Sequence, residues 1–516
     1  ISIFSKKLCQ RTSILWLILW YLFNYVYFRS LQCCTVLKLC YHHTTHFLCV
    51  AGLGGLAMGT VLGYSSPAIP QLESPVSPIP ITMSDASWIG SLVCIGALFG
   101  GPLAGKSSWI MSAGVCEETY YQFVILGMIV ENIGRKTGLI STALPFVLGW
   151  LIIVYAQNVW MLFIGRFLTG LCCGCVSLMS PTYISEIVHP DIRGLLGCVF
   201  QLMVSMGIVI VYVLGTFISW SWLALYGAVV SMAMMVMMIT VPETPAYLLS
   251  KDRMSEAKLS LKSLRGSQYS IEGELEELVR EVEANRRSVG SFLSKLTSPI
   301  VLGPLMMSCG LMVFQQFCGI NIVIFYTVSI FRSAGSTLNE NVATIIVGLT
   351  QLLASFISSC LMDCCGRKPL LFLSSLLMAV TSACLGVYFY VKEFGSLETL
   401  NMISWLPLVS LIGYVFFFSI GFGPIPWLMM SELFPSMVKG QASGIATAVN
   451  WFCAFLVTNT YASIVSAMGS YGAFWLFSSV CVVGVVFVWK IVLETKGKTF
   501  EQISRHFTNK NYSFMS

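Results

Sequence analysis

The sequence predicts an all-α membrane protein with twelve transmembrane helices arranged as two pseudo-symmetric six-helix halves. Of its 516 residues, 56% are hydrophobic and only 10% are charged, and the mean hydropathy is +0.81. A soluble domain carries roughly 25% charged residues. Many apolar stretches of about 20 residues follow one another, each long enough to cross a bilayer as a helix. The net charge of +6 comes without a basic patch beside aromatic side chains, so we expect no nucleic-acid partner.

The apolar stretches divide into six predicted spans on each side of one charged segment. The spans are expected at residues 46–65, 86–105, 137–157, 159–180, 195–217, 222–241, 300–331, 342–362, 369–391, 404–431, 438–460 and 471–492. The charged segment, 242–299, is expected to form a small cytoplasmic helical linker between the halves 46–241 and 300–492, and 493–516 a cytoplasmic tail. The linker could also act as a latch on the motifs described next.

Orientation follows from where Lys and Arg occur. They cluster in the linker, in the tail and after the apolar stretches that end before residues 134 and 366, whereas the loops around 66–85, 218–221 and 465–470 carry none. Cytoplasmic loops are rich in Lys and Arg. We therefore expect both ends of the twelve-span unit in the cytoplasm of a multi-pass plasma-membrane protein.

Short motifs recur in both halves, which indicates an internal duplication. GRK occurs at residues 134–136 and 366–368, each three positions after an acidic residue; an acidic residue later precedes a basic one, and each half closes on Glu-Thr. We predict a cytoplasmic acidic–basic network that holds this end closed and breaks on opening; simple positive-inside anchoring is the alternative reading. An exposed ion pair contributes only about 0–1 kcal/mol, so several are needed. The residues are Glu131, Arg135, Glu186, Arg193, Glu243, Asp363, Arg367, Glu432, Lys439 and Glu494. Two similar halves are typical of transporters that move around a central site.

The polar groups inside the predicted spans are amides and aromatics, with almost no Asp or Glu. This argues against a midplane carboxylate for proton coupling and favours a polar, uncharged substrate. An amide both donates and accepts hydrogen bonds, as sugar hydroxyls do, and Trp can pack on a sugar ring. The predicted substrate-binding residues are Gln201, Gln315, Gln316, Asn321, Gln351, Trp427, Asn450 and Trp451, with Gln315, Gln316 and Asn321 in one helix interrupted by Gly319. Each amide alone could equally form a hydrogen bond between helices, worth about 1 kcal/mol. The number of amides favours a sugar-binding pocket.

Two interruptions of the spans are predicted to be hinges. Gly319 interrupts span seven, and Gly423, Pro424 and Pro426 break span ten just before Trp427. Proline removes a backbone donor, and broken helices occur in membranes where they line a cavity. A static kink is the alternative for span ten.

Two regions fit the repeat badly. Residues 1–45 are interpreted as an N-terminal extension outside the native unit, and 106–128 as an insertion between Gly105 and Glu131, because the second half has no counterpart. Nineteen cysteines, mostly inside apolar stretches, do not indicate a disulfide network. His42, His43 and His46 lack a supporting carboxylate, so neither a metal site nor a cofactor is predicted.

Several longer strings resemble the sugar porter family of the major facilitator superfamily. They comprise 165–167 (GRF), 181–186 with Arg193-Gly194, 242–245 (PETP), 315–321 (QQFCGIN) and 423–427 (GPIPW), and the resemblance covers about 46–505 except 106–128. Residues 325–327, 334–337, 450–453 and 472–477 are most similar to insect facilitated trehalose transporters. The resemblance implies the major facilitator fold, sugar contacts at most of the amides and Trp427, and a place for Arg166 in the cytoplasmic network.

Departures from the family pattern bear on mechanism. Proton-coupled sugar porters carry Asp after Gly-Tyr in span one, where this chain has Ser65, so the resemblance implies facilitated diffusion of a neutral sugar, trehalose or glucose, and no enzymatic reaction. Gln351 stands where animal glucose carriers often have Asn. Proton–sugar symport and a non-transporting sugar sensor remain alternatives.

Overall fold

The computed structural model describes residues 35–75, 77–104, 134–188, 193–266, 270–287, 299–335, 339–434, 439–498, 502 and 507. Throughout these residues the regular structure is helical and no strand occurs. The helices are α1 (Thr35–Leu72), α2 (Met83–Ala104), α3 (Arg135–Val154), α4 (Val159–Ile187), α5 (Arg193–Gly215), α6 (Trp220–Ile239), α7 (Pro245–Ser250), α8 (Met254–Arg265), α9 (Glu272–Arg287), α10 (Pro299–Phe317), α11 (Ile320–Ala334), α12 (Glu340–Cys365), α13 (Arg367–Phe394), α14 (Leu397–Met402), α15 (Leu406–Ile420), α16 (Ile425–Leu433) and α17 (Lys439–Lys490).

Helix occupies each predicted span over most of its length. Within the described part of the chain, nine helices are long and apolar enough to cross a membrane. One of them, Ala442–Lys490, covers most of the last two predicted spans, and Gly469 divides it with a positive φ of 72°. The proposed extension up to residue 34 and the whole stretch 106–128 lie outside the described residues.

The helices pack as two groups joined along three seams. Helices α1 to α6 pack on one another, as do α10 to α17, and the groups meet where α2 contacts α17, α5 contacts α12 and α1 contacts α11. The short helices α7 to α9 pack on the first group, where Arg265 forms a 2.6 Å ion pair with Glu274 and donates a 2.8 Å hydrogen bond to the Ile187 carbonyl at the end of α4. The side chain of Arg265 is only 2% exposed, so this charge is paired rather than solvated.

Both predicted interruptions are real breaks. Gln315 and Gln316 lie at the end of α10, which stops at Phe317, and Asn321 lies at the start of α11, which begins at Ile320, so the span is interrupted as expected. Between them Gly319 has φ 92°, a left-handed conformation in which a side chain is strained, and a Cβ there would meet the Phe477 ring at 2.7 Å. Span ten likewise ends as α15 at Ile420 and resumes as α16 at Ile425.

Candidate functional site

Four of the predicted substrate amides form one continuous hydrogen-bonded chain. Gln315 Nε2 donates to the carbonyl oxygens of Phe422 and Gly423 at 2.6 and 2.9 Å. Asn450 Nδ2 donates to Gln315 Oε1 at 2.7 Å, Gln316 Nε2 donates to Asn450 Oδ1 at 2.9 Å, and Asn321 Nδ2 donates to Gln316 Oε1 at 2.6 Å. The four side chains, here called the amide chain, lie on α10, α11 and α17 in the second group of helices.

The amide chain crosses both breaks. It begins at carbonyls that the turn between α15 and α16 leaves outside regular helix, and it passes from Gln316 to Asn321 over Gly319. Irregular backbone inside a membrane needs such partners, because unpaired carbonyls in hydrocarbon are costly. The amide chain thus connects the break of span seven to the break of span ten through Asn450 on α17.

Gln201 and Gln351 are not part of the amide chain. Ser205 on α5 and Ser355 on α12 lie 3.1 Å apart, oxygen to oxygen, where the two groups meet. Gln201 and Gln351 each precede one of these serines by four residues on helices that run in opposite directions, so they lie one turn to either side of this contact. Gln351 is buried at 4% exposure, and no described residue bonds to its amide.

The two predicted tryptophans occupy different surroundings. Trp427 is half-buried and packs against an apolar cluster that includes Met312, whose Sδ accepts a hydrogen bond from Asn450 of the amide chain. Trp451 is 3% exposed, and its Nε1 is buried without a hydrogen-bond partner among the described residues. This N–H group, on the residue that follows Asn450 in the sequence, is available to donate a hydrogen bond to a polar ligand or to a water.

Arg166 lies apart from the cytoplasmic network that the resemblance implied, which corrects that expectation. It is fully buried in the first group of helices and donates to the carbonyls of Ile89 and Val61 at 3.1 Å and to Ser65 Oγ at 2.6 Å. Its guanidinium also lies 5.3 Å from the centre of the Tyr64 ring. Each of these partners is neutral, and Ser65 occupies the position where a carboxylate would make an ion pair.

The two GRK motifs form matching helix caps at one end of the molecule, here called the GRK end. Glu243 accepts from the backbone N–H groups of Arg135 and Lys136 at 3.1 Å, and Glu494 accepts from those of Arg367 and Lys368 at 3.0 and 2.9 Å. A carboxylate at a helix N-terminus satisfies orphan donors and complements the helix dipole.

The glycine of each motif makes room for this carboxylate. Gly134 and Gly366 share one conformation, φ 104° and 88° with ψ 168°. A Cβ would lie 2.2 Å from Glu243 Oε2 at the first site and 2.8 Å from Glu494 Oε2 at the second. Burial raises the pKa of Glu494, but the N–H groups of Lys496, Arg367 and Lys368 and the charge of Arg367 outweigh it and leave the pKa below its usual value.

Each GRK arginine also forms an ion pair within its own group of helices. Arg135 meets Glu186 at 3.1 Å and Arg367 meets Glu432 at 2.9 Å. The Thr495 hydroxyl donates to the second oxygen of Glu432 at 2.5 Å, while the matching oxygen of Glu186 is buried without a described partner. Glu131 and the side chains of Arg193, Asp363 and Lys439 lie outside the described part.

At the end opposite the GRK motifs, side chains of the first group hold α11. The Tyr212 hydroxyl donates to the Ile324 carbonyl at 2.8 Å, and Ser66 Oγ accepts from the Val328 N–H at 3.4 Å. An undistorted helix would join these two backbone groups as an i to i+4 pair. Between them Tyr326 leaves helical geometry, with φ −123° and ψ 20°. The sequence singled out neither Ser66 nor Tyr212; a hydroxyl in an otherwise apolar span was the only signal.

The solved structures include close matches to this architecture. The xylose transporter XylE of E. coli, described as a major facilitator superfamily proton:xylose symporter bound to 6-bromo-6-deoxy-D-glucose, matches with a TM-score of 0.73 at 26% identity, over 90% of this chain and 99% of that one. The fold is therefore that of a membrane transporter of the major facilitator superfamily.

Sequence comparisons give the family. Residues 123–507 match the family model described as sugar (and other) transporter. The chain is 41% identical over 455 residues to the facilitated trehalose transporter Tret1 of Drosophila pseudoobscura pseudoobscura, covering 88% of this chain and 50% of that protein. It is also 41% identical to the facilitated trehalose transporter Tret1-2 homolog of Drosophila simulans, covering 88% of each. The chain spans about half the length of the first two curated relatives it matches. It belongs to the sugar transporter family.

Proposed function

We propose that this protein moves a neutral sugar down its gradient across the membrane by alternating access and catalyses no chemical reaction. The amide chain carries the proposal, because it provides donors and acceptors suited to hydroxyl groups at a buried place between broken helices. Every described Asp and Glu of the membrane helices lies in a first or last turn, so the interior suits an uncharged ligand. Relatives named as trehalose transporters make trehalose the first candidate and glucose the second.

Facilitated diffusion is favoured over proton coupling by the surroundings of Arg166. Its guanidinium is held by two carbonyls and the Ser65 hydroxyl, none of which titrates in the physiological range. A proton-driven cycle needs a group that binds and releases the proton. Proton–sugar symport is the second candidate, since XylE is described as a proton symporter.

The proposed topology has twelve spans, two halves and a cytoplasmic linker at 242–299, with the GRK end and both ends of the unit in the cytoplasm of the plasma membrane. The Lys and Arg residues of the GRK motifs and of α8 support this orientation. Arg332 and Lys392 lie at the opposite end, where Arg332 pairs with Glu340 at 3.0 Å and Lys392 donates to the Ser333 carbonyl. The insertion at 106–128 is proposed from the internal repeat, because the second half has no counterpart to it.

The described conformation is proposed to be closed at the end opposite the GRK motifs. Among the described residues, hydrogen bonds between the two groups of helices run from the Ser205–Ser355 contact outward to those made by Ser66, Tyr212, Ser91 and Tyr326. The ion pairs at the GRK end join helices of one group only. We propose that each ion pair holds the helices of its own half together at that end. Closing the end requires further contacts between the two groups of helices.

Uptake of labelled trehalose and labelled glucose into proteoliposomes tests the function, with equal and with unequal pH across the membrane. Uptake that equilibrates and ignores the pH gradient is expected. Accumulation that follows the proton gradient would establish the symporter, and absence of uptake of both sugars by well-folded protein would reject both candidates. Protein with and without residues 106–128 is compared, because the proposed insertion adjoins the first GRK motif.

A further inference from the structure

We infer that the break in span ten dictates which hydrogen-bonding groups the substrate amides present, and that Asn321 presents an acceptor to a sugar hydroxyl. The inference rests on the proposed sugar transport and adds a rule for substrate recognition. Its origin is the pair of backbone carbonyls at Phe422 and Gly423, which can accept hydrogen bonds and cannot donate them.

The direction of the amide chain follows from these two carbonyls step by step. Gln315 has to turn its NH₂ group towards them, so its oxygen faces Asn450. Asn450 must therefore donate to that oxygen, from Nδ2 to Gln315 Oε1 at 2.7 Å, so the oxygen of Asn450 faces Gln316. Gln316 then donates at 2.9 Å and turns its oxygen to Asn321, which donates at 2.6 Å.

Burial makes this direction difficult to reverse. Gln315, Gln316, Asn321 and Asn450 are 3%, 6%, 7% and 1% exposed. Turning any one amide by 180° would place two acceptors or two donors face to face. A buried polar group left unpaired loses more free energy than the average hydrogen bond contributes, and little water is at hand to replace the partner. All four amides therefore keep the orientation that the carbonyls impose.

A count of the remaining hydrogen-bonding groups shows what is left for a ligand. Gln315 uses both N–H groups on the two carbonyls, and Asn450 uses its own on Gln315 Oε1 and on Met312 Sδ at 3.3 Å. Neither has an N–H group left for a ligand, so both fix the orientation of the chain and can contact a sugar only as acceptors. One N–H each of Gln316 and Asn321 remains, together with Asn321 Oδ1, to which no described residue donates, while the oxygens of Gln315, Gln316 and Asn450 each already accept one hydrogen bond and keep a second lone pair. The hydroxyl that meets Asn321 Oδ1 must donate its proton.

Sugars with one hydroxyl replaced by hydrogen or by fluorine test this rule, because fluorine can accept weakly and cannot donate. The measurement is competition of each singly substituted glucose or trehalose with uptake of the parent sugar that the protein moves. At one ring position, hydrogen and fluorine are both expected to weaken inhibition by about tenfold, the loss typical of one missing polar contact. Fluorine that restores inhibition at every position sensitive to hydrogen would overturn the inference.

The matched pair Gln315→Leu and Gln351→Leu tests whether the carbonyls are the origin. Both remove a buried glutamine amide, at 3% and 4% exposure, but only Gln315 belongs to the amide chain. Gln315→Leu frees the other amides to turn, so fluorine should become tolerated at the sensitive position, whereas Gln351→Leu should keep the wild-type pattern there. An unchanged pattern in Gln315→Leu contradicts the inference. If that variant fails to fold, Asn450→Leu interrupts the same chain one step later. Failure of the wild type to take up either parent sugar would instead reject the proposed function.

Discussion

Replacing Tyr212 by Phe removes one hydroxyl from the contact between the two groups of helices and keeps the ring. The lost bond is the 2.8 Å donation to the Ile324 carbonyl, in a place where Tyr212 is 2% exposed. A buried hydrogen bond contributes about 1 kcal/mol net, which is about fivefold in an equilibrium constant. We expect the state closed at the end opposite the GRK motifs to lose this amount relative to the state open there.

Kinetic sidedness measures this shift. The apparent affinity for a ligand is its intrinsic affinity multiplied by the fraction of protein in the competent state. If the GRK end is cytoplasmic, KM for sugar entry into cells should fall by up to about fivefold and KM for exit should rise. Ser66→Ala should act in the same direction but more weakly, since its contact to the Val328 N–H is 3.4 Å long.

Tyr388→Phe is the matched control for this experiment. Its hydroxyl donates to the Ala334 carbonyl at 2.8 Å, so it holds the same helix α11 with the same kind of buried bond, from within the second group. It should lower stability without changing the ratio of entry KM to exit KM. Equal ratios in Tyr212→Phe, Tyr388→Phe and wild type, at similar surface expression, would refute the reasoning.

Three further predictions concern the GRK caps and the buried arginine. Glu494→Gln should lower the thermal stability of purified protein at pH 7. Because folding lowers the pKa of Glu494, the ionised carboxylate stabilises the folded protein above the ordinary pKa of 4.5, and this stabilisation is lost as pH falls through the lowered pKa of the folded state. The difference in melting temperature between the variant and wild type should therefore shrink below about pH 4.5. Gly366→Ala should cost about 1–3 kcal/mol from strain, plus the displacement of Glu494. Gly497→Ala is the comparison, because it also places a side chain at positive φ, 70°, but in open space. A melting temperature for Gly366→Ala no lower than that for Gly497→Ala would contradict a role for the clash. Ser65→Asp should place a carboxylate against the Arg166 guanidinium and make uptake depend on external pH, while Ser65→Asn should not; indifference to pH in both would show that this site cannot couple protons.

The local predictions succeeded where a pattern has one physical meaning. Apolar length predicts helix in a bilayer, because every backbone group must be paired within its own segment. Gly319 and the Gly423-Pro424 step were predicted as breaks from the backbone properties of glycine and proline, and both interrupt the helices. The paired motifs predicted an internal duplication, and Glu243 and Glu494 form matching helix caps in the two halves, which the sequence had not predicted.

The predictions were weaker where a residue's role depends on its neighbours. Arg166 was expected with the other charges, yet it lies among the carbonyls of Val61 and Ile89, because a motif gives the residue type and not its depth. Gln201 and Gln351 resembled the other amides in sequence but lie one turn to either side of a contact between the two groups. The roles of Tyr212 and Ser66 had no signal beyond a hydroxyl in an apolar span.

The sequence by itself determined the class of protein: an all-helical membrane chain of two similar parts, with amides and not carboxylates in its interior, since composition, hydropathy and repeated motifs are local properties. Only the tertiary structure decided which amides join, in which direction their hydrogen bonds run, and which hydroxyls hold α11 at the end opposite the GRK motifs. Most of those features depend on distances between residues 100 or more positions apart, as between Gln315 and Gly423 or Tyr212 and Ile324. A side-chain amide can both donate and accept, so the direction of its hydrogen bonds is decided only when packing places a donor or an acceptor beside it.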